Sequence, residues 1–151
     1  MRIIKGIGIA ILLLVLLLVS IGVWTWYKSS KYEETAVPYM TKAIYDISEW
    51  NLESMKSYLA PEVIKEVSDS DLKKILNGLS KMGKLIHLEE PQFLSISSQA
   101  TTKTGSGTFI SYKVPAKYEK GDATLNIILK EVDEGHFIIY KFNLDSLALF
   151  E

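Results

Sequence analysis

Hydrophobic positions along this chain fall into three successive rhythms: an unbroken run, then one residue in every three or four, then every second residue. The unbroken run comes first. From Gly6 to Tyr27 there are 22 residues without a charge, and a helix of that length, at about 1.5 Å per residue, reaches roughly 33 Å, slightly more than a hydrocarbon core. Thirteen Leu, Ile and Val lie between Ile7 and Val23; at a few tenths of a kcal/mol each, they favour the bilayer by about 5 kcal/mol. Trp24, Trp26 and Tyr27 follow where an interfacial aromatic belt belongs. The pattern predicts a cytoplasmic tail over 1–5, a transmembrane helix over 6–27 and a polar linker over 28–34, ahead of one domain over 35–151. A cleaved signal peptide is the competing reading, with Ser20 and Gly22 as the small pair before a cut at Val23. Retention is favoured because the run exceeds the usual length of such a segment and continues past that cut into aromatics. Arg2 and Lys5 face Lys28, Lys31 and Lys42 across the run, a nearly even count. The N-terminus is placed inside because a signal anchor carries the following domain across largely regardless of its charge.

The second rhythm is helical. Ala36, Tyr39 or Met40, Ala43, Ile47 and Trp50 form a stripe at spacings of three and four, with Pro38 near its beginning. Asn51 is an N-cap for a short helix over NLESMKSYL, and Pro61 opens APEVIKEV at a first helical position, where its missing N–H costs nothing. SDSDLKKILNGLSKMGK pairs Ser68 with Asp71 at capping-box spacing. Its stripe is Leu72, Ile75, Leu76, Leu79 and Met82, and Gly83 is its stop.

After Gly83 the period becomes two. LIHLEEPQFLSIS is β-prone but interrupted by Pro91, which predicts a bend, a bulge or an edge there. TKTGSG supplies a turn before TFISYKVPAKY, which sets Ile110, Tyr112, Val114, Ala116 and Tyr118 on one face. ATLNIILKEV does the same with Ala123, Leu125, Ile127 and Leu129, and HFIIYKFNL with Ile138, Tyr140, Phe142 and Leu144. Short polar turns between four strands predict an antiparallel meander, with the upstream helices covering one face. The fold class is therefore α+β: a transmembrane helix, then about three helices on a four-stranded antiparallel sheet.

Composition narrows the setting. At 151 residues the chain holds one domain beyond the apolar run. After Lys5 there remain 15 basic against 18 acidic residues, which is no nucleic-acid surface. Cysteine is absent, which excludes disulfides, thiolate metal sites and a lipid-accepting thiol. None of Asn51, Asn77, Asn126 and Asn143 begins a glycosylation motif, so a bacterial envelope is the easier setting.

The order of helices and then meander, together with WNLESMKSYLAPEV, LSKMGKL and GHFIIYKFNLDS, resembles the nuclear-transport-factor-2-like, or cystatin-like, superfamily from about Glu33 to Ser146. The resemblance implies a curved sheet forming a cone. The same cone hosts ketosteroid isomerase, dehydratases, transport adaptors and secretion-system scaffolds, so function has to be argued from the site. One membrane helix ahead of such a domain is similar in layout to inner-membrane core subunits of type IV secretion systems.

An isomerase-like site needs a carboxylate base and hydrogen-bond donors converging inside the cone. Tyr39, Tyr112 and Tyr140 are the candidate donors, but no Asp or Glu is expected among the inward positions of the last three strands. His87 and Glu89 share a strand face and His136 is the other histidine, too few local ligands for a metal. Gly105 to Gly107 lacks the helix and Lys of a phosphate loop and reads as a hairpin. No enzyme, cofactor or metal is expected. Phe109, Phe137 and Ile139 are expected to point away from the helices, with Ile128 opposite its own strand's inward set, as a contact surface that Leu147–Phe150 extends. The expectation is a single-pass protein of the bacterial inner membrane whose extracytoplasmic domain is an interaction or assembly module for a protein partner or for itself. The alternative is a small apolar ligand or lipid bound in the cone by the tyrosines.

Overall fold

The computed structural model describes residues 2–101 and 105–150, without the side chains of 2–8, 10, 24–29, 99–101 and 105. It divides into two compact units, Met1–Glu34 and Thr35–Glu151. Helix α1 is Arg2–Ile47 and includes residues 28–34, expected as a link but helical here. Pro38 lies inside it and deprives the carbonyl of Glu34 of its helical donor, next to the division between the units. In the first unit, the described side chains from Ile11 to Val23 are all exposed. They span 13 residues, about 20 Å of helix, and the rest of the Gly6–Tyr27 run lies largely outside the described side chains. Among the described residues, no helix is long and apolar enough to cross a membrane.

The second unit is α+β. Helices α2 (Leu52–Tyr58), α3 (Pro61–Glu66) and α4 (Asp69–Leu79) start where their capping residues stand. Asn51 Oδ1 accepts from the amides of Glu53 at 2.9 Å and Ser54 at 3.1 Å, and Ser68 Oγ accepts from Asp71 N at 3.1 Å. Each cap satisfies donors that the helix itself cannot. A 3-10 turn over Ser80–Met82 ends at Gly83, whose φ of 75° is one that glycine adopts without strain. The stripe on α4 is narrower than its spacing predicts, because Ile75 is 48% exposed.

The sheet has five antiparallel strands where four were expected: β1 Leu85–Leu88, β2 Gln92–Thr101, β3 Gly105–Tyr118, β4 Gly121–Asp133 and β5 His136–Asp145. The additional strand comes from Pro91. It splits the first strand into β1 and β2, which lie end to end on the same edge of β3, while Glu89 N reaches Pro115 O at 2.9 Å. From β3 the order continues through β4 to β5. The turn expected over TKTGSG falls on 102–104, outside the described residues, and Gly105–Gly107 open β3 instead of forming a hairpin turn.

The core lies between the last turns of α1 and one sheet face. Met40, Ala43, Ile44 and Ile47 are fully buried, as are Ile110, Val114, Leu125, Leu129 and Ile139. Ser48 shares a 2.9 Å hydrogen bond with the buried Tyr118 hydroxyl, so this contact leaves no bare polar group. Burial pushes the Tyr118 pKa up, and the Ser48 bond partly offsets it.

Candidate functional site

Four residues fall out of the ladder as β-bulges: Ile86, Leu94, Val132 and Tyr140. A bulged residue has no opposite number and leaves the alternation of faces. Ile86, Leu94 and Val132 are consequently 58%, 55% and 51% exposed, which makes them the most exposed large apolar side chains of the strands.

The bulge at Tyr140 corrects the expected contact surface. Ile128 pairs with Lys141 and Leu129 with Ile139, so β5 changes face between them. Ahead of the bulge the inward residues are Phe137 and Ile139, at 5% and 0% exposure, and beyond it Leu144 at 5%. Phe137 and Ile139 therefore belong to the core; Phe137 lies 6.1 Å from Tyr39 of α1 between ring centroids. Phe109 does lie on the outer face, but it is only 4% exposed, with Tyr140 edge-on at 4.9 Å and Lys130 as its β4 partner. Ile128 is half-buried. The four residues do not form one exposed patch.

On that outer face Lys130 is 7% exposed and ion-paired with Glu62 of α3. Its aliphatic stem fills the space that Gly107 leaves open, since a Cβ there would meet Lys130 Cε at 3.0 Å. The ammonium holds the Glu62 carboxyl below its usual pKa. Sequence reasoning missed this pair, because nothing near Lys130 in the chain marks it as buried.

The three tyrosines occupy separate places. Tyr39 packs against Tyr58 of α2 at 5.9 Å; burial first, then the neighbouring Tyr58, pushes its pKa up to about 12. Tyr112 is 1% exposed on the inner face, against Phe93 at 5.9 Å. Tyr140 is with Phe109 on the opposite face. They do not converge on one cavity.

Beside Tyr58, a polar knot joins α1 to α2. Lys42 Nζ donates to Asp46 Oδ2 at 2.6 Å and to the Tyr58 hydroxyl at 2.9 Å, and Tyr58 donates to Asp46. These bonds, the Lys42–Asp46 one first, raise the Lys42 pKa and lower that of Asp46. The knot is exposed and ties the two helices together.

A depression of about 580 Å³ opens on the polar end of the outer face, lined by His87, Glu89, Lys117, Asp122 and Asp145 among others. Asp145 is already held by Asn126 Nδ2 at 2.7 Å and Asn143 Nδ2 at 3.0 Å. His136 begins β5, the edge opposite β1, so the two histidines do not combine. Among the described residues no group of three metal-ligating side chains comes together.

What remains is an edge strand. Every described position of β2 is exposed except the half-buried Phe93 and Ile96, and β3 is its only strand partner among the described residues. Fold and surface together define an α+β domain with α1 over the inner face of a bulged antiparallel sheet, α3 meeting the outer face at Lys130, and β2 as an edge strand. No protein-family model, curated protein or solved structure matches the chain.

Proposed function

We propose that this chain is a membrane-anchored, extracytoplasmic interaction or assembly module of a bacterial envelope, with a domain of the nuclear-transport-factor-2-like type and no catalytic role. The observation that carries the reading is the first unit of α1. Every described side chain from Ile11 to Val23 is exposed, and the large apolar ones, leucines, isoleucines and valines, stand at 50–61% exposure. A helix whose side chains are apolar and exposed on every side has lipid as its natural solvent. The uncharged sequence on either side of this stretch extends it to the length of a bilayer core. A non-catalytic role is supported by the placement of the polar groups, since the three tyrosines are dispersed and Glu62 and Asp46 are each committed to a lysine.

The test is alkaline carbonate extraction of membranes carrying the full chain, followed by protease shaving from the outer side. The chain is expected to remain in the membrane pellet and to lose its C-terminal domain to external protease. Release into the carbonate supernatant refutes the anchor; full protection from protease in spheroplasts, with digestion after lysis, refutes the outward orientation.

A further inference from the structure

The two edges of the sheet are built differently. At β5 the edge is covered near Ile139: Leu59 bridges to Ile139, and Ala60 N donates to Ile139 O at 2.8 Å. The strand also carries His136, Lys141 and Asp145. At the other edge, Pro91 and the bulge at Leu94 interrupt pairing only as far as Leu94. From Ser95 to Thr101 the strand is regular, and QFLSISSQAT holds no charge and no proline across its ten residues. Charges, prolines, bulges and covering segments are the means by which sheet edges avoid one another. Beyond Leu94, β2 has none of them among the described residues.

We propose that β2 is a self-pairing edge, on which a second copy of this chain docks antiparallel along Ser95–Thr101. This deepens the interaction-module reading by naming the partner and the surface. A second copy fits for a reason of charge. Two identical strands related by a two-fold axis face each other with their own residues, so a charged edge would repel its copy, whereas this one meets no like charge at any register. Ser95, Ser97 and Ser98 are exposed and can exchange hydroxyl hydrogen bonds across the pair. Ile96, half-buried at the rim of the inner layer, gains cover from the incoming strand.

Geometry restricts the register. The axis relating antiparallel neighbours stands perpendicular to the sheet and keeps each face on its own side, so a residue can oppose only one of the same face. Ile96 opposes Ile110 on the inner face and Ser97 opposes Phe109 on the outer. The axis therefore stands beside one residue and never between two consecutive ones, and pairing that runs the length of Ser95–Thr101 centres it on Ser98. Ser98 then lies opposite its own copy.

The chain contains no cysteine, so a single introduced thiol reports without background. Full-length Ser98→Cys and, as a control on the β5 edge, Lys141→Cys are oxidised mildly in membranes. Ser98→Cys is expected to form disulfide-linked dimer at least roughly tenfold faster than Lys141→Cys, since only close Cα pairs can bridge. Ser98→Lys, a change at an exposed position checked for an intact fold by circular dichroism, is expected to weaken the detergent-solubilised dimer at least tenfold in light scattering. Equal crosslinking at both positions, or a dimer that persists in Ser98→Lys, assigns association to another surface and overturns the proposal. A strict monomer that still crosslinks reproducibly to a different protein overturns self-pairing while leaving the interaction-module reading in place. Release by carbonate refutes the anchor while leaving the strand pairing measurable.

Discussion

Replacing Trp50 separates backbone strain from side-chain packing. Trp50 follows the end of α1 with φ of 58°, and is the one described residue other than glycine in the left-handed region. Its amide reaches Ile47 O at 2.9 Å, which closes the helix. Holding a bulky residue in that conformation costs about 1–2 kcal/mol. Two contacts offset it: the indole Nε1 donates to Gly83 O at 2.8 Å, and the ring stands 5.8 Å from Tyr118 at 30°. The hydrogen bond contributes about 1 kcal/mol and the ring pair about another, beyond the area the half-buried indole covers. Trp50→Phe keeps the ring and loses only the donor, for a cost of about 1 kcal/mol. Trp50→Ala loses both contacts and keeps the strain, roughly 3 kcal/mol in all once ring burial is included. Trp50→Gly loses the same contacts but relieves the backbone, and recovers about 1 kcal/mol of that loss. The expected order of stability is wild type, then Phe, then Gly, then Ala, read as urea midpoints by pulse proteolysis of the full chain in detergent. Glycine above alanine inverts their usual order. Alanine at or above glycine would refute the left-handed cap, and an unchanged Phe variant would refute the bond to Gly83.

Three further outcomes test the assignments of face, charge and cap. Ile139→Ala should cost about 3 kcal/mol and Ile138→Ala, only half-buried, less than about 1; equal costs in urea unfolding would contradict the bulge at Tyr140. Glu62→Gln removes one ion pair from the buried Lys130 ammonium and should cost about 2 kcal/mol at neutral pH, discounted because Glu62 is 30% exposed. Because the folded-state pKa of Glu62 is lowered, its contribution is complete above its ordinary value of 4.5 and is lost as pH falls through the lower folded value. Acid unfolding of Glu62→Gln should accordingly be flatter below pH 4.5 than that of the wild type, and parallel curves would refute the pairing. Asn51→Ala should lower stability by about 1 kcal/mol, with Asn51→Asp near neutral, because only the side-chain acceptor to Glu53 and Ser54 is removed.

The helical half of the second unit was legible because its signals are local. Asn51, Pro61, Ser68 and Gly83 each act on backbone groups within a few residues, and each stands at the element boundary it predicts. The break at Pro91 was legible for the same reason. The candidate surface was read less well. HFIIYKFNL places four bulky apolar residues in a row, Phe137 to Tyr140, and strict alternation sends Phe137 and Ile139 outward. That uninterrupted run was the available sign that β5 changes face within it.

The amino-acid sequence by itself determined the apolar opening run, the change of period at Gly83, the caps and the α+β class, all through interactions a few residues long. Tertiary structure decided which face each strand presents on either side of its bulges, that Lys130 is buried against Glu62, and which sheet edge stays open. Those outcomes depend on register between segments far apart in the chain. A one-residue slip exchanges the two faces of a strand while leaving its local composition untouched.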